Sequence, residues 1–289
     1  MRYDEREWKI GFNLSGDVSG CFGCTAAEAV GGGVWEIVPR GVVLCGGYDE
    51  VIKEAEDIAA EGFVPDAVIA FFSRNYRIEA TLERLDGIFP EVPFCGGGAA
   101  PGTEGVPELY PANGDAALLL IRDERYAFEN RFCDLHDVST RKIALEGPDS
   151  RTITYITDGE RVSACEWLNA IRKAEGYRAE SFENVTLTTD EGYNLHLSEE
   201  DGRLCTGSDI PGSREVRVGL LTDAMAKTRI DEFLGVPGEF VCGCAGLRSM
   251  VPGVAAKSVC GFLHGEILTA GGRPHFANLM MSALSAVRR

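Results

Sequence analysis

The chain has 289 residues, enough for two modest domains or one large one. Its 28 Lys and Arg against 45 Asp and Glu leave a net charge of −17, a surface that repels phosphate backbones and argues against nucleic-acid binding. Hydrophobic residues make up 45% of the chain, as in an ordinary globular core, yet no apolar run approaches the length of a membrane span.

The opening MRYDEREWKIGF is charged from its second residue and lacks the apolar stretch of a secretory signal, so a cytoplasmic location is expected. On that expectation the ten cysteines read as thiols rather than as a disulfide framework. Trp8 to Leu14 reads as a first strand. Cys21 and Cys24 then form a CxxC motif at the start of a short helix, where the helix N-terminus lowers a thiol pKa. Redox or metal use and plain packing both stay open for that pair.

Val34 to Val38 and Val42 to Cys45 read as short strands separated by Pro39. From Asp49 to Glu61 the apolar positions Val51, Ile52, Ala55, Ile58 and Ala59 fall at helical spacing, with Asp49 as the expected N-cap and Gly62 just past the end. Asp66 to Phe72 is an expected buried strand, giving a β-α-β unit that favours parallel pairing. A second helix is expected from Ile78 to Phe89, and Val92 to Phe94 is a strand entering the turn Cys95-Gly-Gly-Gly98. That glycine run fits neither dinucleotide nor Walker patterns, so it reads as a ligand-facing turn, an anion nest or a plain loop.

Asp115 to Ile121 is a further strand. Arg122 to Ser150 is charged and aperiodic, which makes it the expected connection between two halves. Thr152 to Thr157 opens the second half as a strand, and Ser163 with Glu166 marks a capping box for a helix ending at Gly176. Val185 to Thr188, Tyr193 to Leu197 and Val216 to Leu221 read as strands, with a turn at Asp201-Gly202. Phe240 to Cys244 is a short buried strand, and Gly271-Gly272 turns the chain near its end. The expected class is mixed α/β (α+β), with two consecutive sheet-and-helix domains at 1–148 and 149–289.

The order Cys244-Ala-Gly246-x-Arg248, then Gly261-Phe262-x-x-Gly265-Glu266-Ile267, then Phe276-x-Asn278 resembles the C-terminal signature of FIST domains. Asp66 to Gly98, a strand, a Ser73 loop, a helix and a strand into glycines, is similar to the N-terminal FIST pattern. The resemblance runs from about Asp66 to the end. The intervening Ser249 to Val259 is shorter than the family's helical insertion and is interrupted by Pro252 and Gly253, so one wall of the family's pocket is missing or remade.

The resemblance implies an intracellular sensory module that binds a small ligand and signals through a partner protein or self-association, with no cofactor, metal or membrane. The ligand-binding candidates are Arg248, Glu266, Asn278, Cys244, Gly265, Gly97 and Ser73. By residue type, Arg248 can clamp a carboxylate, Glu266 can receive an amine and Asn278 can do either, which suits an amino acid or related metabolite. The same groups can instead pin strands to one another, because a carboxylate such as Glu266 within an apolar segment is either solvent-facing or held by hydrogen bonds. The alternative function is an enzyme: Cys244 or Cys242 as nucleophile with His264 or His275 as base, or a metal held by Cys242, Cys244, Cys260 and one of those histidines. His136 and His196 read as structural or exposed.

Overall fold

The computed structural model describes residues 6–7, 10–11, 36–37, 40–73, 78–99, 115–177, 184–234, 239–244, 261–263 and 265–289. The first strands and helices are β1 (Arg6–Glu7), β2 (Ile10–Gly11), β3 (Glu36–Ile37), β4 (Arg40–Gly46), α1 (Tyr48–Ala60), β5 (Ala67–Ser73), α2 (Ile78–Ile88), β6 (Phe94–Ala99), β7 (Ala116–Ile121), β8 (Tyr126–Asp134) and β9 (Asp137–Glu146). There follow β10 (Thr152–Ile153), β11 (Tyr155–Asp158), β12 (Glu160–Ser163), α3 (Ala164–Ala174), β13 (Asn184–Thr188), β14 (Asn194–Glu200), β15 (Arg203–Thr206) and β16 (Glu215–Leu221). The chain then runs through α4 (Asp223–Phe233), β17 (Glu239–Cys244), β18 (Gly261–Leu263), β19 (Glu266–Ala270), β20 (Arg273–Ala277) and β21 (Met280–Arg288). The fold is mixed α+β, as expected. The CxxC pair and Arg248 lie outside the described residues.

Three main sheets organise these elements: seven strands in the order β1-β4-β7-β5-β6-β19-β20, eight in the order β10-β15-β14-β13-β16-β9-β11-β12, and four in the order β18-β17-β21-β8. The runs AVIAFFS in β5 and AALLLI in β7 are apolar throughout because both faces of their sheet are covered. Val68, Ala70 and Phe72 point to one side, where they pack with Val51, Ile52, Leu82 and Leu85 of α1 and α2. Ala67, Ile69 and Phe71 point to the other, against Phe240, Cys242, Leu263 and Leu284 of the four-stranded sheet. Helices, seven-stranded sheet and four-stranded sheet thus form three layers.

The eight-stranded sheet buries one face against α3, with Ile143, Leu145, Leu187, Leu195 and Val216 meeting Trp167 and Leu168. By the two-residue alternation of strands, Thr186, Thr188, Asn194, His196 and Gly219 face the opposite way. Hydrogen bonding crosses position 148 several times. β8 pairs with β21 from end to end, β9 pairs with β11 and β16, and β6 pairs with β19. Asn130 of β8 adds a side-chain tie between layers: its Oδ1 accepts the Thr269 N–H at 2.8 Å, and its Nδ2 donates to Ala283 O at 3.1 Å.

Several local expectations change. The glycine run is strand, not turn: Gly96, Gly97 and Gly98 lie within β6, parallel to Ala70, Phe71 and Phe72 of β5. No side chains occupy that stretch, so the strand pairing, not propensity, holds it extended. β4 and β5 run in the same direction but do not pair, because β7 inserts between them antiparallel to both. The segment 122–150, expected as a connection, contains β8 and β9; their side chains are mostly half-exposed or exposed, which hid the apolar alternation. Ser163 caps α3 without a side-chain hydrogen bond, so the expected capping box is not formed. Glu50 rather than Asp49 closes the start of α1, accepting the Gly47 N–H at 3.3 Å.

Candidate functional site

Glu266 begins β19, paired with Gly97 of β6 on one side and Ala277 of β20 on the other. Neither neighbour carries a polar side chain, and Glu266 is fully buried. The Met280 N–H donates to Oε2 at 3.2 Å, and the Cys244 thiol hydrogen-bonds the same carboxyl. Oε1 has no partner among the described residues. Burial pushes this carboxyl well above the usual carboxylate range, and hydrogen bonds from the Met280 N–H, the Cys244 thiol and the backbone N–H of Glu266 itself offset only part of that. Of the expected ligand trio, Glu266 is therefore the one placed as an internal acid.

Gly97 and Gly265 lie against Glu266 and serve close backbone approach. The Gly98 N–H donates to Gly265 O at 3.0 Å. A Cβ on Gly97 would run into that same carbonyl oxygen and come within 2.7 Å of Leu263 Cδ1. Gly265 takes φ +97°, and a Cβ there would enter the Phe276 ring. Ser73 ends β5 in register with Ala99, two strands over and two residues along from Glu266, roughly 12 Å away by sheet spacing. Its carbonyl accepts from Tyr48 OH at 2.7 Å, and its hydroxyl donates to Asp115 Oδ1 at 3.4 Å. Ser73 and Glu266 belong to one sheet edge but do not touch.

Asn278 lies in the turn between β20 and β21. Its N–H donates to Asn194 Oδ1 at 3.3 Å, and its Nδ2 donates to Ser208 Oγ at 3.5 Å. Leu279 next to it holds φ +55°, a left-handed conformation that costs a non-glycine residue roughly 1 kcal/mol. That turn joins Glu266 to a second polar group the sequence did not single out. Asp134 Oδ1 accepts the His136 ring Nδ1–H at 2.7 Å and the His136 N–H at 2.9 Å. Oδ2 accepts Thr188 Oγ1–H at 3.1 Å. Burial alone would raise the Asp134 carboxyl; hydrogen bonds from His136 and Thr188 bring it below the usual range instead. With Asp134 holding Nδ1–H, His136 Nε2 is left without a partner among the described residues, as is Thr186 Oγ1.

His136 is buried, whereas its sequence context, Leu-His-Asp between charged stretches, carries no period to announce it. His196 is half-buried; burial and then the nearby His136 hold it below the usual imidazole value. A usable signal for this group was the small polar set Thr186, Thr188 and Asn194 repeated at the non-core positions of two strands.

His275 stacks on Tyr193 with ring centroids 4.3 Å apart, and its Nε2–H donates to Ala270 O at 3.2 Å. Cys260 and His264, other members of the enzymatic alternative, lie outside the described residues. Burial pushes the Cys45, Cys133, Cys165 and Cys205 thiols up, away from a thiolate at neutral pH. No group of three or more His, Cys, Asp or Glu capable of holding a metal occurs among the described residues. No helix among them is long and apolar enough to cross a membrane.

Comparison with known proteins returns no matching family model and no matching curated protein.

Proposed function

We propose that this protein binds a small molecule as a sensory module of the FIST type, with its ligand taken beside the carboxyl ends of β5 and β6. The observation that carries the reading is the Glu266 carboxyl: fully buried, flanked by glycine and alanine, and left with one unpartnered oxygen among the described residues. A buried polar atom without a partner costs about 1–3 kcal/mol, so such an atom is retained where something else completes it. The carboxyl ends of parallel strands are where open sheets with helical cover take ligands. β5 and β6 both end there, and Ser73 and Gly97 from the resemblance fall on that edge.

Amino acids and related metabolites are the ligand class of this reading, and the cytoplasm is its compartment. Output passes through a partner protein or through self-association. Thermal unfolding of the reduced protein against amino acids, nucleotides and metabolites tests it. A ligand present at about 100 times its dissociation constant adds roughly 2.7 kcal/mol, an upward shift of several degrees. A panel with no shift at saturating concentrations removes the reading.

A further inference from the structure

We infer that two copies of this chain pair through β8, edge to edge and antiparallel, about a two-fold axis at Asn130. This gives the self-association named above a surface, and it stands whether or not a ligand binds.

β8 is the outer strand of the four-stranded sheet, and no strand lies beyond it among the described residues. Continued by one residue, its register with β21 sets Arg289 opposite Arg125, and the Arg289 N–H donates to Arg125 O at 3.0 Å. The register runs without a bulge, so the odd positions from Ala127 to Cys133 also turn their N–H and C=O towards β21. Ser285 Oγ–H, donating to Glu129 O at 3.3 Å, fits the same phase. The even positions direct their backbone groups outwards. At the two ends these groups are engaged: the Tyr126 N–H donates to Asp123 O at 3.1 Å, and Asp134 O accepts from Arg229 at 2.8 Å. Between them, the N–H and C=O groups of Phe128, Asn130 and Phe132 have no partner among the described residues. The run YAFENRFCD holds no proline or glycine that would blunt the edge.

Charge decides which strand suits this edge. Antiparallel self-pairing must match outward positions with outward positions, so the central registers are centred on Glu129, Asn130 or Arg131. The first sets two glutamates against each other, and the last sets two arginines. Centred on Asn130, the pairing puts Glu129 of each copy opposite Arg131 of the other, at the non-hydrogen-bonded positions where side chains come closest. The same register matches Phe128 with Phe132 and Asn130 with itself, so every open N–H and C=O of both copies finds a partner. Glu129 is exposed, and Arg131 is held beside the edge by Phe233, whose ring centroid lies 3.9 Å from the guanidinium carbon. A second copy always presents this match, which is the self-complementarity a two-fold interface requires.

Sedimentation velocity of the full chain, reduced and in about 0.15 M salt, reads the pairing, since the charge of −17 on each copy is then screened beyond about 8 Å. Over a loading range of about 1 μM to 1 mM, a monomer–dimer equilibrium is expected. Glu129→Arg and Arg131→Glu should each weaken it about tenfold or more, because each sets like charges across the axis twice. An equimolar mixture of the two variants should associate as the wild type does, for every opposed pair in the mixed dimer is again opposite in sign. Should Arg131→Glu not fold, Ala127→Cys reads the register instead. That position stands opposite the partner's Cys133, whereas within one copy the two are roughly 20 Å apart along the strand. Mild oxidation should then link two copies, and adding Cys133→Ser should abolish the link. A monomer throughout the loading range overturns the inference and leaves the edge to another protein's strand. Weakening that the mixture fails to restore overturns it, as does a dimer in which neither charge variant has an effect and no link to Cys133 forms.

Discussion

Met280 and Glu266 are joined across a strained turn: the Met280 N–H donates to the buried carboxyl at 3.2 Å, immediately after Leu279 adopts φ +55°. Two residues earlier the Asn278 N–H reaches Asn194 Oδ1, so one short turn serves both buried polar groups. The conformational cost at Leu279 is of the order of a single hydrogen bond, and two are made.

Glu266→Gln changes the pH dependence of stability. The folded-state pKa of Glu266 is raised by burial, so its contribution is fully present below the ordinary glutamate range and is lost as pH rises through the raised value. Between pH 5 and pH 8 the wild type should lose stability relative to Glu266→Gln, by at most about 1.4 kcal/mol per pH unit. Urea denaturation at both pH values measures it. Parallel curves for the two proteins would show that Glu266 does not titrate in this window.

Asp134 has the opposite sign. Its lowered pKa gives stability that is present above the ordinary aspartate range and lost as pH falls through the folded value. Asp134→Asn keeps the shape but sets an amide against the donors of His136 and Thr188, at a cost of about 3 kcal/mol at pH 7. The gap between variant and wild type should narrow by pH 3. A gap that is constant with pH assigns the loss to packing instead.

Two glycine substitutions should move stability in opposite directions. Gly96 holds φ +135°, and a Cβ there would strike the Ala70 carbonyl of β5, so Gly96→Ala costs about 3 kcal/mol or more. Gly87 lies inside α2 with nothing within 4 Å of the added carbon, so Gly87→Ala adds about 0.5–1 kcal/mol. Melting both variants beside the wild type tests the assignment of the glycine run to β6.

Asn130→Ala removes the tie between β8 and β19 and leaves the Thr269 N–H without its acceptor. A loss of about 1–3 kcal/mol is expected, with the same fold by circular dichroism. A change below half a kcal/mol would mean that the two layers hold without it.

The elements written in apolar periodicity were legible. α1, α2, α3, β5 and β7 fall within a residue or two of where spacing put them, since each buries a continuous face. β6 was half read: Phe94 and Cys95 carry the signal, but glycines have no side chain through which packing could be inferred. β8 and β9 escaped because half-exposed strands need no strict alternation, and α4 escaped because DAMAKTRIDEF, from Asp223 to Phe233, mixes small, charged and apolar residues evenly. In the site, a carboxylate within an apolar segment pointed to Glu266, and its hydrogen bonds answer the choice left open by the sequence. Asp134 and His136 were opaque for a different reason. Their role depends on Thr188 and Asn194, more than fifty positions away, and only the sheet register brings them together.

The pairing of β8 with β21 sets when this molecule can acquire its fold. The bond from Asn130 to Ala283 spans 153 positions, and β6 likewise gains its outer neighbour only from β19. A nascent chain therefore exposes the nine-residue edge of β8 from its emergence until β21 is made. Contacts of such long sequence separation slow folding and leave open edges prone to association with other chains. Arrest-peptide force profiling should register one late event, after β21 has cleared the ribosome, rather than stepwise folding of an early half.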